Sequence, residues 1–503
     1  MVSMAGTNSR STISLASPDR LYIGGQWIAP SSEDVIEVID SATEEAFLQV
    51  AAAQPTDVDR AVTAARDAFD VGPWPRLSHA ERAAYLSAIA EGIRRRSKDV
   101  TQILPRETGV LYSSSVLRVG GVAGTFDYYA GLADDFSFEE RVSPTSGGKF
   151  GLIVYEPVGV VAAIIAWNGP MGLIANKVAP ALLAGCTVVL KAAPEAPGDA
   201  YLMAEIADSC GLPPGVLNVV TADREVSELL VTDPRVDKIS FTGSTAVGRR
   251  IATLCGSRIG RYSLELGGKS AAVILDDMDL SQAAETLARA ECSLTGQVCS
   301  SLTRIVVSRR RQNALVDALV GVFKDVKVGD PFESATEMGP LATRRQQERV
   351  LGYIQRGRDE GAVLATGGGR PAGLGRGWFV EPTVFGNVDN ASTIAREEIF
   401  GPVLSVIPAD DEEDAVRIAN DSIYGLNASV FTQDPDRALA LARRLRTGTV
   451  GHSNFRTDMG VGFGGFKQSG VGREGGRQGL LSFLETKTII LEGVPSGYLP
   501  DAS

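Results

Sequence analysis

Apolar residues in this chain gather into short continuous runs, separated by longer stretches where apolar and polar positions alternate at helical spacing. The run GVVAAIIAW at 159–167 is apolar throughout and includes β-branched residues. That pattern suits a strand covered on both faces. A helical stretch follows over 171–184, and TVVLKA at 187–192 reads as the next strand. KISF (238–241), SAAVILDD (270–277), TRIVVS (303–308), PVLSVI (402–407) and NASVFT (427–432) repeat the strand signal. Helical patterns such as QNALVDALVGVFKDV (312–326) lie between them. The alternation, from 151 to about 450, predicts α/β architecture with mostly parallel sheets. Two segments break it. ADDFSFEERVSPTSGGKF (133–150) reads as an exposed excursion, and TKTIILEGV (486–494) as a strand arriving after the main fold is complete. Strands of that kind suit an edge that pairs with a second subunit.

Composition narrows the class. A chain of 503 residues is expected to hold roughly three domains. Its net charge of −12 disfavours nonspecific binding to nucleic acid or to an anionic membrane. The five cysteines, Cys186, Cys210, Cys255, Cys292 and Cys299, form no CxxC pair and do not resemble a disulfide scaffold. With only two histidines, His79 and His452, a His-rich metal site is not expected. The first 19 residues are polar, lack the apolar core of a secretory signal and read as a disordered tail. The longest apolar run is too short to span a bilayer. A soluble, cytoplasmic protein acting on a small molecule is expected.

Several short motifs carry chemistry. FTGSTAVGR (241–249) follows the strand KISF. Gly243 permits a tight turn, Ser244 and Thr245 can cap the next helix, and that helix N-terminus offers free N–H groups to a pyrophosphate. It is not a G-x-G-x-x-G fingerprint, and alone it is also an ordinary capped helix start. In LELGGKS (264–270), Glu265 stands among leucines, where desolvation would raise its pKa towards general-base range; a surface acid beside a turn reads the same way. AWNGPM (166–171) ends the long apolar strand, at the carboxyl edge where open α/β sheets bind ligands. Asn168 there can donate an amide N–H to an oxyanion, or simply form the Asn-Gly-Pro turn. GQVCSS (296–301) presents Cys299 with no histidine near it in sequence. EEIFGPV (397–403) and the glycine-rich GFGGFKQSGVGRE (462–474) each read alone as a turn or loop.

Their order decides the matter. AWN, TVVLKAAPE, FTGST, LELGGK, GQVC, EEIFGPV and GFGGFKQSG follow one another over about 300 residues, after an N-terminal LYIGGQW and the segment 57–69, DVDRAVTAARDAF. In this the chain resembles the aldehyde dehydrogenase superfamily from about residue 20 onward. The resemblance implies an aldehyde-dehydrogenase-like α/β fold: a Rossmann-type dinucleotide-binding domain over 20–132 and 151–266, a catalytic domain over 267–478, and an oligomerisation element from 133–150 and 479–503. It implies Cys299 as nucleophile, Glu265 as the base that activates water, Asn168 with the Cys299 backbone N–H as oxyanion hole, and Glu474 as a second acid in proton relay. It also implies an electropositive, cofactor-lined pocket around the thiol. For a nicotinamide dinucleotide it implies Ile164, Ile165, Trp167, Lys191, Phe241, Gly243, Ser244, Glu398 and Phe400. For a substrate tunnel it implies Gly169, Met171, Val298, Ser300 and Phe463.

Three departures stand out. The proline before Trp167-Asn168 is Ala166. The next position, often aromatic in the family, is Gly169, which widens the tunnel. The acid expected three residues after Lys191 is replaced by Pro194, leaving Glu195 one place later. NAD is the expected cofactor, with Glu195 serving the ribose; NADP stays open, because Arg224 suits a 2′-phosphate. The expected substrate is a hydrophobic aldehyde, with a carboxylated semialdehyde bound by Arg456 as rival and Asp458 nearby. A homo-oligomer, dimer or tetramer, is expected. A cysteine-dependent thioesterase, a CoA-acylating dehydrogenase and a non-catalytic binding protein are the other classes; Glu265 favours water as acceptor over CoA.

Overall fold

The computed structural model describes residues 10–499. The apolar runs become the central strands of two large sheets. The first orders its strands as Gly470–Val471, Arg261–Glu265, Lys238–Thr242, Val160–Ile164, Thr187–Ala192, Leu217–Thr221, Leu21–Ile23 and Gln26–Ile28. Its five inner strands, from Arg261–Glu265 to Leu217–Thr221, run parallel. Four of them, from Lys238–Thr242 to Leu217–Thr221, are buried at every position, which explains why they are mostly apolar, and Val160–Ile164 wholly so. The second sheet orders Val363–Thr366, Thr383–Gly386, Val403–Ala409, Arg304–Ser308, Ala271–Ile274, Asn427–Phe431 and Thr449–His452, parallel from its second strand on. Helices cover the sheets, and separate apolar cores flank each one.

A third, antiparallel sheet joins Leu484–Leu491, Phe150–Pro157 and Glu139–Val142. The late strand and the excursion therefore belong together, and the expected boundaries shift. Residues 151–157 lie in this third sheet, so the dinucleotide sheet resumes only at Val160. Conversely, Gly470–Val471 pairs with Leu264 and Glu265 at the edge of the dinucleotide sheet, although it falls inside the stretch expected to be catalytic. The tail also needs correction. From Arg10 onward it is tied down: Arg10 Nε meets Asp40 at 3.0 Å and its Nη1 meets Asp330 at 2.5 Å, and Ser11 N donates to Gln102. Residues 1–9 of the expected tail lie outside the described residues. Among the described residues no helix is long and apolar enough to cross a membrane.

Candidate active site

Ligands of parallel α/β sheets collect beyond the carboxyl ends of the strands, and here two sheets bring such ends together. Glu265 closes its strand, and its backbone carbonyl accepts from Gly243 N at 3.0 Å. That bond sets the base beside the turn that starts helix Thr245–Ser257. Ser244 caps this helix through Val247 N, and Gly243 lies flat on the Phe241 ring, where a Cβ would come within 2.5 Å of it. On the neighbouring strands, Ile164 and Ile165 are buried, and Ile165 N donates to Lys191 O at 3.2 Å.

The nucleophile sits on a forced turn. Leu294, Thr295 and Gly296 take positive φ in succession (52°, 56° and 69°) just before it. Such conformations cost non-glycine residues about 1–3 kcal/mol each, so the surroundings must impose them. Thr295 donates to Gly339 O at 3.0 Å. Gln297, fully buried, donates to Thr108 O (3.1 Å) and Leu294 O (3.0 Å) and accepts from Ala342 N (2.9 Å). Gly296 packs so tightly on Gly401 that a Cβ would fall 2.4 Å from its carbonyl carbon. On the far side of Cys299, Ser301 N bonds Val298 O at 3.1 Å and Asn427 donates to Ser300 O at 3.2 Å.

The two glycines of LELGGK explain themselves here. A Cβ on Gly267 would strike the Glu398 carboxylate at 2.5 Å; one on Gly268 would strike Cys299 O at 2.2 Å. Gly268 N instead donates to Glu398 at 3.0 Å. Ser469, of GFGGFKQSG, donates to Gly267 O at 2.7 Å, and Leu266 N donates to Ser469 O at 2.9 Å. Trp167 meets Phe400 edge-on, with ring centroids 5.4 Å apart, joining AWN to EEIFGP. Five motifs scattered along the chain are thus within contact distance of one another's partners.

Cys299 is partly exposed, and LELGGK packs directly against it, with buried Glu265 close enough to act on the thiol by its charge. Glu265 Oε1 has no hydrogen-bond partner among the described residues. Burial first, then the charge of Glu474, pushes Glu265 well above the usual carboxylate range; Lys177 pulls it back. Burial, Glu265 and Glu398 push the Cys299 thiol well up. The electropositive pocket expected around the thiol is therefore not made by side chains. The charges acting on Cys299 are acids, so activation of the thiol calls for a cation brought by the ligand. Asn168 donates Nδ2 to Gln297 O at 2.9 Å. An amide nitrogen carries two hydrogens, which leaves one for an oxyanion beside Cys299.

Sequence reasoning missed Lys177. It is fully buried in helix Pro170–Ala184, forms a short ion pair with Glu474 and reaches Ser240 Oγ at 3.4 Å. The signal was present: Lys177 is the one charged residue in a largely apolar helix. Lys191 and Glu398 fit a dinucleotide. Lys191 closes its strand region buried, brought down to about 8 by burial, with Glu195 and Asp223 acting on it as acids. Glu195 carries a complication: its Oε1 is held by Arg345 at 3.0 Å. Arg224 is exposed at the first position of its helix. The expected tunnel is only partly open. Gly169 and Val298 are partly exposed, and a Cβ on Gly169 would meet nothing within 4 Å. Met171, Ser300 and Phe463 are buried; Met171 N donates to Asp199, Ser300 O accepts from Asn427, and Phe463 N donates to Glu474 O. Arg456 is exposed, and Asp458 is engaged with Gly460 N at 2.7 Å.

A parallel-sheet dinucleotide cradle facing a cysteine on a second α/β sheet, with an acid and an amide beside the thiol, defines a thiol-dependent oxidoreductase class. The aldehyde dehydrogenase family model matches residues 27–489, and the chain belongs to that family. It is 43% identical to geranial dehydrogenase of Castellaniella defragrans, over 94% of this chain and 98% of that protein. It is 41% identical to 3-succinoylsemialdehyde-pyridine dehydrogenase of a Pseudomonas species, over 93% and 98%. Among solved structures it superposes with TM-score 0.92 on a Mycobacterium tuberculosis aldehyde dehydrogenase complexed with NAD+, 45% identical over 96% of this chain and 99% of that one. With the same TM-score it matches a mutant aldehyde dehydrogenase C from Pseudomonas syringae, complexed with NAD+ and octanal, 39% identical over 97% and 100%.

Proposed function

We propose that the protein oxidises a hydrophobic aldehyde to its carboxylate, with NAD+ as oxidant and water as acyl acceptor. The observation that carries this is the convergence on Cys299 of the LELGGK segment, with buried Glu265 acting on the thiol, and of Asn168, whose amide keeps one hydrogen free. The thiol gives its proton to solvent water and its sulfur attacks the aldehyde carbon. Asn168 and the Cys299 N–H hold the resulting oxyanion; one such donor is worth about 3–4 kcal/mol. Bound NAD+ supplies the hydride acceptor and, through its cationic ring, the positive charge that the side chains around Cys299 lack. A thioester then remains on Cys299. Glu265 takes a proton from water, which attacks the thioester and frees the carboxylate. Glu474, paired with Lys177 and acting on Glu265 by its charge, would pass that proton on.

Lys191 and the start of helix Thr245–Ser257 would hold the adenosine ribose and pyrophosphate, and Glu398 with Phe400 the nicotinamide half. The acids beside Lys191 favour NAD+, since they accept from ribose hydroxyls and repel a 2′-phosphate. The apolar choice of substrate is supported by the open space at Gly169 and by relatives named for geranial and solved with octanal. A semialdehyde is the second reading, favoured by exposed Arg456 and by the relative named for a semialdehyde. A homo-oligomer is supported by the terminal strand Leu484–Leu491, whose Ile490 and Leu491 are exposed. Five unpaired cysteines accord with a cytoplasmic setting. The test is near-ultraviolet absorbance of reduced cofactor with a panel of aldehydes, NAD+ and NADP+ in parallel. Turnover with an apolar aldehyde and NAD+, lost in Cys299→Ala, is expected. Turnover that survives Cys299→Ala would overturn the proposal.

A further inference from the structure

The hydrogen bonds around Asn168 close into a ring that passes through two acids outside the reacting groups. Asn168 Nδ2 donates to Gln297 O, and Gln297 Nε2 donates to Thr108 O. Beside Thr108, Glu107 Oε1 accepts from Gly198 N at 2.8 Å. Beside Gly198, Asp199 Oδ2 accepts from Met171 N at 3.1 Å. Met171 stands three residues after Asn168, so the ring returns to its start.

Each acid caps a helix that lacks its own cap. Helix Pro170–Ala184 has Gly169 at its N-cap and helix Gly198–Ser209 has Pro197; neither has a side-chain cap. The two remote carboxyls supply that bond to N–H groups that would otherwise go unsatisfied. Glu107 and Asp199 are 1% and 0% exposed. Their other oxygens, Glu107 Oε2 and Asp199 Oδ1, are buried with no partner. Among the described residues no cation acts on them: Glu107 is acted on by Asp199 and the Gly198 N–H, and Asp199 by the Met171 N–H. Two buried carboxylates in electrostatic contact cannot both stay ionised without one.

We propose that Glu107 and Asp199 share one proton through their free oxygens, and that the pair is a positioning device fixing Asn168 against the Cys299 turn. One proton turns two unsatisfied acceptors into a donor and an acceptor. One negative charge stays over two helix N-termini. The direction of both ionisations agrees: burial pushes Asp199 up to about 7, and burial with Asp199 pushes Glu107 well above its usual range.

The positioning role rests on the aldehyde-oxidising reading; the shared proton does not. Three variants test them: Asp199→Ala, Asp199→Asn and Glu107→Gln. Asp199→Ala should lower kcat roughly 10- to 100-fold, the scale of a catalytic group misplaced by about an ångström, with NAD+ binding unchanged. Asp199→Asn keeps the acceptor for Met171 N and should recover most of that loss. In mildly alkaline solution, infrared difference spectra should show a protonated-carboxyl band in the wild type that Asp199→Asn and Glu107→Gln each lose or shift. Wild-type kcat in Asp199→Ala would overturn the positioning role. A band unchanged in both conservative variants would overturn the shared proton. Should Asp199→Ala not fold, recovery or loss of kcat in Glu107→Gln and Asp199→Asn, beside the band, still decides. A wild type that reduces no cofactor with any aldehyde defeats the functional reading itself, and the infrared band still judges the pair.

Discussion

Two buried acid clusters stand near the turns that carry Asn168 and Cys299, and they differ in their cations. Glu265 and Glu474 share their interior with Lys177, and Lys238 also acts on Glu474. Among the described residues no cation acts on Glu107 or Asp199. The first cluster can move a proton, because a nearby cation lowers the cost of ionising Glu265 in a buried place. The second can only keep one, because nothing offsets a second negative charge. The same residue type thus serves transfer in one cluster and fixation in the other, and the neighbour sets which.

Variants can break this contrast in order of size. Asn168→Ala removes the amide held on Gln297 beside the Cys299 turn, and should lower kcat by about 10²–10³-fold, measured with saturating cofactor and aldehyde. Lys177→Met makes the first cluster resemble the second. Lys177 lowers the pKa of Glu265, so its loss should move the acidic limb of the kcat–pH profile to higher pH. It should also destabilise the fold by about 3–5 kcal/mol, since a buried acid loses its partner; a urea melt reads that cost. The smallest effect is on stability alone. Folded Asp199 lies near 7 against an ordinary 3.8, so the folded state holds more protons than the unfolded one across that interval. Stability from this group is full below about 4 and declines as pH rises to about 7. Asp199→Asn should flatten that decline, seen as urea midpoints less dependent on pH.

The legible parts of the sequence were those with local causes. The buried strands announced themselves as apolar runs, and the strand ends then located Asn168, Lys191 and Glu265. The glycines of LELGGK and GQVC explain themselves only in the fold: Gly267 and Gly296 each exclude a side chain for a partner more than 100 residues away, Glu398 and Gly401, and Gly268 does so for the carbonyl of Cys299. Lys177, Gln297, Glu107 and Asp199 went unread because their roles depend on what packs against them. The tail was overread from Arg10, whose partners Asp40 and Asp330 are distant in sequence.

The most direct test of the account is intact-protein mass spectrometry of Glu265→Gln, mixed with NAD+ and an apolar aldehyde such as octanal. With the base removed but Cys299 and Asn168 intact, a stoichiometric burst of reduced cofactor should leave an acyl group on Cys299, found by peptide mapping and absent from Cys299→Ala. Reduced cofactor formed at the wild-type rate with no adduct on Cys299 would contradict it.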